Sequence, residues 1–550
     1  MAYVFCGSVS SIMNNQNISV SSLAQSTDER PVISSRPPAL PPEGNGHLLA
    51  RLSPFWRDRL VEGGLVLSMI LYYLIHSPLL SLPFLLIFAL LSWYRLSFAI
   101  ALLPLTLPYY LETYQKAVAG SAMFSLTEIT LSICVVVCLA QFVLKRGERR
   151  FWLSWRELQD RVGPFLLPMV VFLLVAALSI TIAYRGDLAL RDFRKEVFAP
   201  LLYFVLVLLY IRSRHDVIRL LAALIATATI VAFMGVIQIL FFPNSMALEE
   251  GVRRVYAIYG SPNSIGLLFD YTLPIVLAWA LGRVRWGSRF LALFLAGLMF
   301  VVLYLTHSLG SWMGIAVAAL FVVGFSIRSR KILLIGGLFA LVLAIAVVAV
   351  YHTQLLNYVV DRHSDAFGTG TAAKRVYLWQ AALAMIHDSP WLGYGLDNWL
   401  CHYSQNTICP NTLHHYWLLR DATGHPTGLV NEPNLSHPHN IFLHIWVSIG
   451  VFGLLSFGVV LILFYWLFAR ILISLHAAPG KYSEQLRWMT LGVGAAMLAA
   501  LVQGQVDSAF LEQDLSFCFW TLVATLLLLR VLSQTSWRDV VQSEAKQEAV

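Results

Sequence analysis

The chain has 550 residues, 58% of them hydrophobic and only 12% charged, with a mean hydropathy of +0.70. No soluble fold hides that much apolar surface, so a soluble enzyme or binding module is excluded. The formal net charge of +8 follows from membrane topology and anionic lipid, and calls for no nucleic-acid partner.

Residues 1–50 are rich in Ser, Asn, Gln and Pro, closing with Arg36-Pro37-Pro38-Ala39-Leu40-Pro41-Pro42, and hold no apolar core of signal-peptide length. They read as a disordered cytoplasmic tail. Apolar runs then recur near 60–76, 79–94, 96–110, 122–144, 163–184, 195–211, 217–242, 262–281, 290–306, 311–327, 332–350, 440–468, 488–504 and 515–532. Runs of this length cross a hydrocarbon core of roughly 30 Å, and backbone groups in lipid must pair within their own segment, so the runs are helices. The expected fold is therefore all-α and polytopic, with about fourteen spans or, as the alternative, twelve. A transmembrane bundle over 51–350, a large polar loop over 351–439, further spans over 440–532 and a solvated tail over 533–550 complete the organisation.

Lysine and arginine orient the bundle. Lys145-Arg146-Gly147-Glu148-Arg149-Arg150, Arg283 to Arg289 and Arg328-Ser329-Arg330-Lys331 anchor the cytoplasmic side. Both tails then lie inside and the large loop faces the exterior or periplasm. Cys401 and Cys409 both fall in that loop, where an oxidising exterior permits a disulfide that spacing alone leaves open.

Cations on the wrong side of this rule carry more information than those that obey it. Arg191, Arg194 and Lys195 read best as snorkelling to lipid phosphates. Arg253 and Arg254 stand just before Tyr259-Gly260-Ser261-Pro262-Asn263, and Arg375 opens Arg375-Val376-Tyr377-Leu378-Trp379. Arg254 and Arg375 each precede a turn able to fold the chain over a ligand. Guanidinium forks at a membrane surface suit a pyrophosphate.

The loop also collects His402, His414, His415, His425, His437 and His439. Their spacing matches no common zinc pattern, so no metal is expected. Most read as loop histidines bonded to backbone and water. His439 differs, because Pro438 fixes its approach and Asn440 is placed to cap the apolar helix that follows. A histidine held at such a boundary can take a proton from a hydroxyl at neutral pH.

His439-Asn440, nine further residues, then Gly450-Val451-Phe452-Gly453 resembles the H-[NSQ]-x9-G-x-x-G pattern of the bacterial O-antigen ligases. The Arg375, Trp379, Pro390 and Gly393-Tyr394-Gly395 run, and the Arg254 and Gly260-Ser261-Pro262-Asn263 run, look like two further signatures in the right order. The resemblance covers roughly residues 160–530. It extends to a superfamily of O-antigen ligases, O-antigen polymerases and protein O-oligosaccharyltransferases. One departure is Thr306-His307-Ser308-Leu309-Gly310, where many members carry Ser-Arg-Gly.

The resemblance implies a GT-C-like glycosyltransferase of the bacterial inner membrane. Such an enzyme passes a glycan from an undecaprenyl-pyrophosphate carrier to an acceptor hydroxyl on the outer face, with no cofactor and no metal. The acceptor is a lipid-linked glycan, a polysaccharide or a protein. Carried onto this chain, His439, Arg375 and Arg254 are the catalytic candidates, with His439 preferred to His437. Asn263, Asn440, Arg253 and Tyr394 are candidates for substrate binding. Attack opposite the pyrophosphate would invert the anomeric centre. The motif fit tilts toward a ligase involved in lipopolysaccharide biosynthesis, over a polymerase or protein transferase. An anion transporter and a non-catalytic partner in cell-envelope assembly are the readings from other classes.

Overall fold

The computed structural model describes residues 53–75, 77–109, 124–144, 155–249, 252–326, 371–404, 409, 418–420, 426–430, 436–477 and 480–548. The N-terminal tail, the span expected at 332–350, the Lys145–Arg150 anchor and His414, His415 and His425 lie outside these residues. By contacts the chain divides into Met1–Arg59 and Leu60–Val550. Of the first unit, the opening turn of helix α1 (Pro54–Leu74) is described.

The second unit is helical with two short hairpins. Helices α2 (Pro78–Tyr94), α3 (Leu96–Leu102), α4 (Leu126–Leu144), α5 (Trp155–Val162) and α6 (Leu166–Ser179) come first. The short α7 (Gly186–Asp192) leads through a π-helical turn into α8 (Ala199–Tyr210), then α9 (Arg214–Phe241). Ser213 and Asp216 form a capping box that starts α9, each side chain satisfying the other's backbone N–H. A hairpin of β1 (Ala247–Glu249) and β2 (Val252–Arg254) pairs Ala247 with Arg254. It leads into α10 (Pro262–Leu281), where Ser261 is the cap and Pro262 the first helical residue, a placement its missing N–H and fixed φ favour.

Next come α11 (Trp286–Thr306), α12 (Leu309–Ser326), α13 (Thr371–Asp388) and the five-residue α14 (Trp399–Tyr403). The second hairpin pairs β3 (Leu418–Arg420) with β4 (Pro426–Val430). The chain ends with α15 (Ile441–Ala477), α16 (Lys481–Gln503) and α17 (Gln513–Glu548). Helix α17 thus continues through the segment expected as a polar tail.

Among the described residues, nine helices are long and apolar enough to cross a membrane. The expected count of fourteen exceeds this for identifiable reasons. The segment 332–350 is not described. Arg57, Asp58, Arg59 and Glu62 interrupt the apolar character of α1. Helices α2 and α8 have only 17 and 12 residues, and α3 only seven before a 3-10 turn. Of the nine, α17 and α10 are the most enclosed, with 83% and 78% of their apolar windows buried against 28% for α12. The candidate site is built on the ends of these enclosed helices.

Helix α15 is broken at Gly450, which has φ 75° and ψ −178°. The turn Pro390–Gly395 docks into the break. The Pro390 carbonyl accepts from Val451 N (3.0 Å) and Trp446 Nε1 (3.0 Å), and Tyr394 N donates to Val447 O (2.8 Å). A Cβ on Gly450 would overlap the Trp391 carbonyl, so this crossing of two chain segments requires glycine. Cys401 and Cys409 form a disulfide with Cα atoms 5.0 Å apart.

Candidate active site

His439 stands at the mouth of α15 in a left-handed conformation, φ 50°, which is costly for a residue with a Cβ and persists only when its surroundings over-determine it. Three contacts do so. Its backbone N–H donates to His437 Nδ1 (3.2 Å), its carbonyl accepts from Trp379 Nε1 (3.4 Å), and its ring Nδ1 lies 2.7 Å from Asp507 Oδ1. The next residue caps the helix as expected. Asn440 Oδ1 accepts from Phe442 N (3.0 Å) and Leu443 N (3.1 Å), while Asn440 Nδ2 donates to Gln505 O (3.1 Å). Both ends of the Asn440 amide are therefore engaged in holding α15 to the 504–512 connection between α16 and α17.

That connection supplies the residue sequence reasoning missed. Burial alone would raise the Asp507 carboxyl, but the charge and hydrogen bond of His439, with His437 and Arg375 behind them, hold it well below the usual carboxylate range. It remains an anion at neutral pH. Its Oδ1 also accepts from Ser508 N (2.9 Å), and Ser508 Oγ in turn sits 2.6 Å from His444 Nδ1 one turn into α15. A carboxylate on Nδ1 fixes the His439 tautomer, so Nε2 becomes the proton acceptor.

His437 packs its ring 4.1 Å from that of His439, centroid to centroid. Burial, then the proximity of His439 and His444, lowers its pKa well below that of a free imidazole. It is a neutral acceptor at Nδ1, and its Nε2 lies 3.9 Å from Glu512. Glu512 is pushed well above the usual carboxylate range by burial and by the nearby charges of Asp514 and Asp507.

Arg375 is the fifth residue of α13, with Trp379 four residues on. Residues so spaced share a helix face, and Trp379 bonds the His439 carbonyl. The Arg375 charge is felt by both Asp507 and His437.

Arg254 belongs to a second part of the candidate site, bonded to Thr306 and Asn263. Its Nε donates to Thr306 O (2.7 Å) and its Nη2 to Asn263 Oδ1 (2.8 Å), which fixes the plane of the guanidinium. Hydrogen bonds tie this part to the first. Tyr259 OH, beyond the Arg254 strand, donates to Asp514 Oδ2 (2.9 Å) at the start of α17. Ser311 Oγ donates to Gln503 Oε1 (2.6 Å) just before the Asp507 connection.

The remaining candidates fall elsewhere. Arg253 precedes Arg254 in β2, where successive side chains leave opposite faces. It donates instead to Pro243 O (3.2 Å) and Asn244 Oδ1 (3.3 Å). Tyr394 sets its ring 4.3 Å from that of His402, tilted by 48°, and packs on a separate apolar cluster with Trp446. Trp399 and Tyr403, loop aromatics by sequence, are buried in that cluster. Arg191 pairs with Asp192 (2.7 Å) and with Asp397, and Arg194 with Glu128 (2.8 Å), so both make internal ion pairs.

His437, His439 and Asp507 each present a ligand atom within 4.8 Å of the others. Two imidazoles and a carboxylate are a donor set that transition metals accept. Here, however, Asp507 Oδ1 meets His439 Nδ1 and His437 Nδ1 accepts the His439 backbone N–H, so hydrogen bonds already join the three residues in a chain that fixes the His439 ring.

The described residues thus form apolar helices long enough to cross a membrane and two short hairpins, with a histidine–carboxylate pair at the mouth of α15. Residues 291–458 match the family model described as O-antigen ligase. Over that segment the chain is similar to the O-antigen ligase/polymerase superfamily of membrane glycan enzymes. The matched segment carries Arg375, His439, Asn440, Gly450 and Gly453, while Arg254, Asn263, Asp507 and Glu512 lie outside it. Among curated proteins nothing matches the chain.

Proposed function

We propose that this protein transfers a glycan from an undecaprenyl-pyrophosphate carrier to an acceptor hydroxyl at the outer face of the bacterial inner membrane, in the manner of an O-antigen ligase. The single observation that carries this is the 2.7 Å contact between His439 Nδ1 and Asp507 Oδ1. It leaves an oriented imidazole beside the charge of Arg375 at the mouth of a membrane helix.

In the proposed reaction the acceptor oxygen attacks the anomeric carbon and forms the new C–O bond. The acceptor proton passes to His439 Nε2, which Asp507 orients and stabilises as it becomes charged. The bond from the anomeric carbon to the phosphate oxygen breaks, and both its electrons leave with the pyrophosphate. Arg254 and Arg375 stabilise that developing charge through guanidinium forks. Attack and departure on opposite faces invert the configuration. No step requires a metal, so chelation should leave turnover unchanged.

Transfer from a purified lipid-linked donor, with anomers read by NMR, tests the chemistry. A product that retains the donor configuration would refute the direct displacement. A deletion strain tests the acceptor class. Long polymer left on the carrier identifies a ligase, single repeat units identify a polymerase, and bare protein identifies a protein transferase. Solute uptake in liposomes without glycan turnover would replace the enzyme reading with a transporter.

A further inference from the structure

Far from His439, the basic residues at one joint lack the acidic partners that such residues usually have. Helix α17 leaves the Asp507 connection at Gln513, and Arg530 lies seventeen residues along it, roughly 26 Å away at 1.5 Å per residue. There α17 meets the end of α5 and the end of α8. Arg161 Nη1 donates to Leu208 O (2.7 Å) and Arg212 Nε to Leu209 O (3.3 Å), both carbonyls of the last turn of α8. Arg530 Nη2 reaches back to Arg161 O (3.1 Å) and Asp160 O. All three guanidiniums are thus held by neutral carbonyl oxygens.

Among the described residues none of the three has a carboxylate within ion-pair distance. Glu157 and Asp160 act on Arg161 and Arg530 only at longer range, while Arg161 and Arg212 are close enough to repel each other. Arg161 and Arg212 also line a narrow cleft whose other walls are aliphatic, including Ile211, Val217, Leu528 and Leu532. Two like charges held side by side over an apolar wall are stabilised by an anion, and most of all by one that brings hydrocarbon with it.

We propose that Arg161 and Arg212, backed by Arg530, bind the phosphate of an anionic phospholipid at the membrane face opposite His439. The phosphate oxygens bridge the two guanidiniums, each of which retains further N–H donors beyond the one spent on α8. The glycerol and the first methylenes of the lipid lie on the aliphatic wall. Basic pockets between membrane helices on one leaflet recognise lipid phosphates in this way. A free phosphate shares the charge but gains nothing from the part-exposed Val531 and Leu532, and that difference selects the lipid. Because the site joins α5, α8 and α17, occupancy ties together helices on which the distant Asp507 connection depends.

The test uses the full chain in phosphatidylcholine nanodiscs doped with phosphatidylglycerol, with bound lipid counted by native mass spectrometry. Arg161→Ala with Arg212→Ala should lower phosphatidylglycerol retention roughly tenfold and leave phosphatidylcholine unchanged. Arg283→Ala, an exposed cation at another joint, should retain as much as wild type. A second measurement, thermal unfolding in detergent, covers the case of a poorly folded double variant. There phosphatidylglycerol should raise the midpoint of wild type but not of the exposed single variant Arg212→Glu. Equal retention in wild type and the double variant would overturn the site. Displacement of the lipid by millimolar inorganic phosphate would overturn the lipid as its ligand.

Discussion

The Nδ1 atom of His439 and the Oδ1 atom of Asp507, 68 residues apart in sequence, meet at 2.7 Å. Their meeting converts a loop histidine into an oriented base. One partner is held by the strained backbone at the start of α15, the other by the connection between α16 and α17. Neither helix end alone would fix the imidazole.

Removing the carboxylate should therefore cost nearly as much as removing the imidazole. Asp507→Asn presents an amide that disturbs the His439 tautomer and does not stabilise the imidazolium. It should lower the transfer rate at least about 100-fold, and His439→Ala should lower it roughly 10²–10⁴-fold. Donor binding should survive both. Single-turnover rates at matched membrane levels check this, and an Asp507→Asn variant with wild-type rates would remove Asp507 from the chemistry.

His437 should matter more than its sequence position suggests. By sequence His437 has no role beyond that of a loop histidine passed over for His439, but its Nδ1 accepts the His439 N–H and its ring packs on the His439 ring. His437→Ala leaves that buried N–H without its acceptor, so transfer should fall roughly tenfold through misplacement of His439. A loss equal to that of His439→Ala would make His437 the base instead.

How much of this was legible beforehand depends on whether a residue's role is local. The spans, the Asn440 cap and the candidacy of His439 follow from apolar runs and from residues within a few positions of one another. Asp507 was not legible, because an Asp in Gln505-Val506-Asp507-Ser508 carries no signal until the fold brings it to His439. Two acids, Asp507 and Glu512, in a short link between apolar helices were the available hint. The resemblance ranks Arg254 above Arg253, but the physical reason, that successive β2 side chains leave opposite faces, needed the strand. The disulfide between Cys401 and Cys409 likewise needed Cα positions rather than spacing.

The arginines can be told apart from mere positive charge. Arg375→Lys keeps the charge but loses the planar fork, so it should lose much of the activity that Arg375→Ala abolishes. Arg254→Lys should behave similarly because Nε and Nη2 are already spent on Thr306 and Asn263. Arg191→Ala should be mild, since its partners are Asp192 and Asp397. Donor titrations of each variant decide it; normal turnover in both Arg375→Ala and Arg254→Ala would move the pyrophosphate elsewhere.

The two glycines of the Gly450-Val451-Phe452-Gly453 run should differ sharply. Gly450 has positive φ, and a Cβ there meets the backbone of Trp391 and Leu392, which cannot move aside. A Cβ on Gly453, where φ is not positive, meets the buried Ile449 side chain rather than backbone, so a rotamer shift there can relieve it. Gly450→Ala should cost about 2 kcal/mol or more and undock the Pro390–Gly395 turn, whereas Gly453→Ala should remain folded and active. Denaturation in detergent, followed at the tryptophans near the kink, measures both.

Glu512 gives the clearest dependence on pH. Its folded pKa is raised well above the ordinary value by burial and by Asp514 and Asp507. The folded state therefore binds a proton that the unfolded chain releases above about pH 4.3. Stability must then fall as pH rises from that value through the folded pKa, because ionisation forces a charge beside two carboxylates. Glu512→Gln keeps the shape of the neutral acid and cannot ionise. It should retain transfer activity near neutral pH, and its unfolding midpoint should pull ahead of wild type as pH is raised. Asp507 works in the opposite sense. Its depressed pKa gives stability that is present above the ordinary Asp value and is lost on acidification. Wild type should thus weaken at both ends of the range and Glu512→Gln mainly at the acid end. Identical midpoints for the two proteins from acid to alkaline pH would mean that Glu512 is ionised in the fold, and the chain from Asp507 through His439 and His437 would then end at His437.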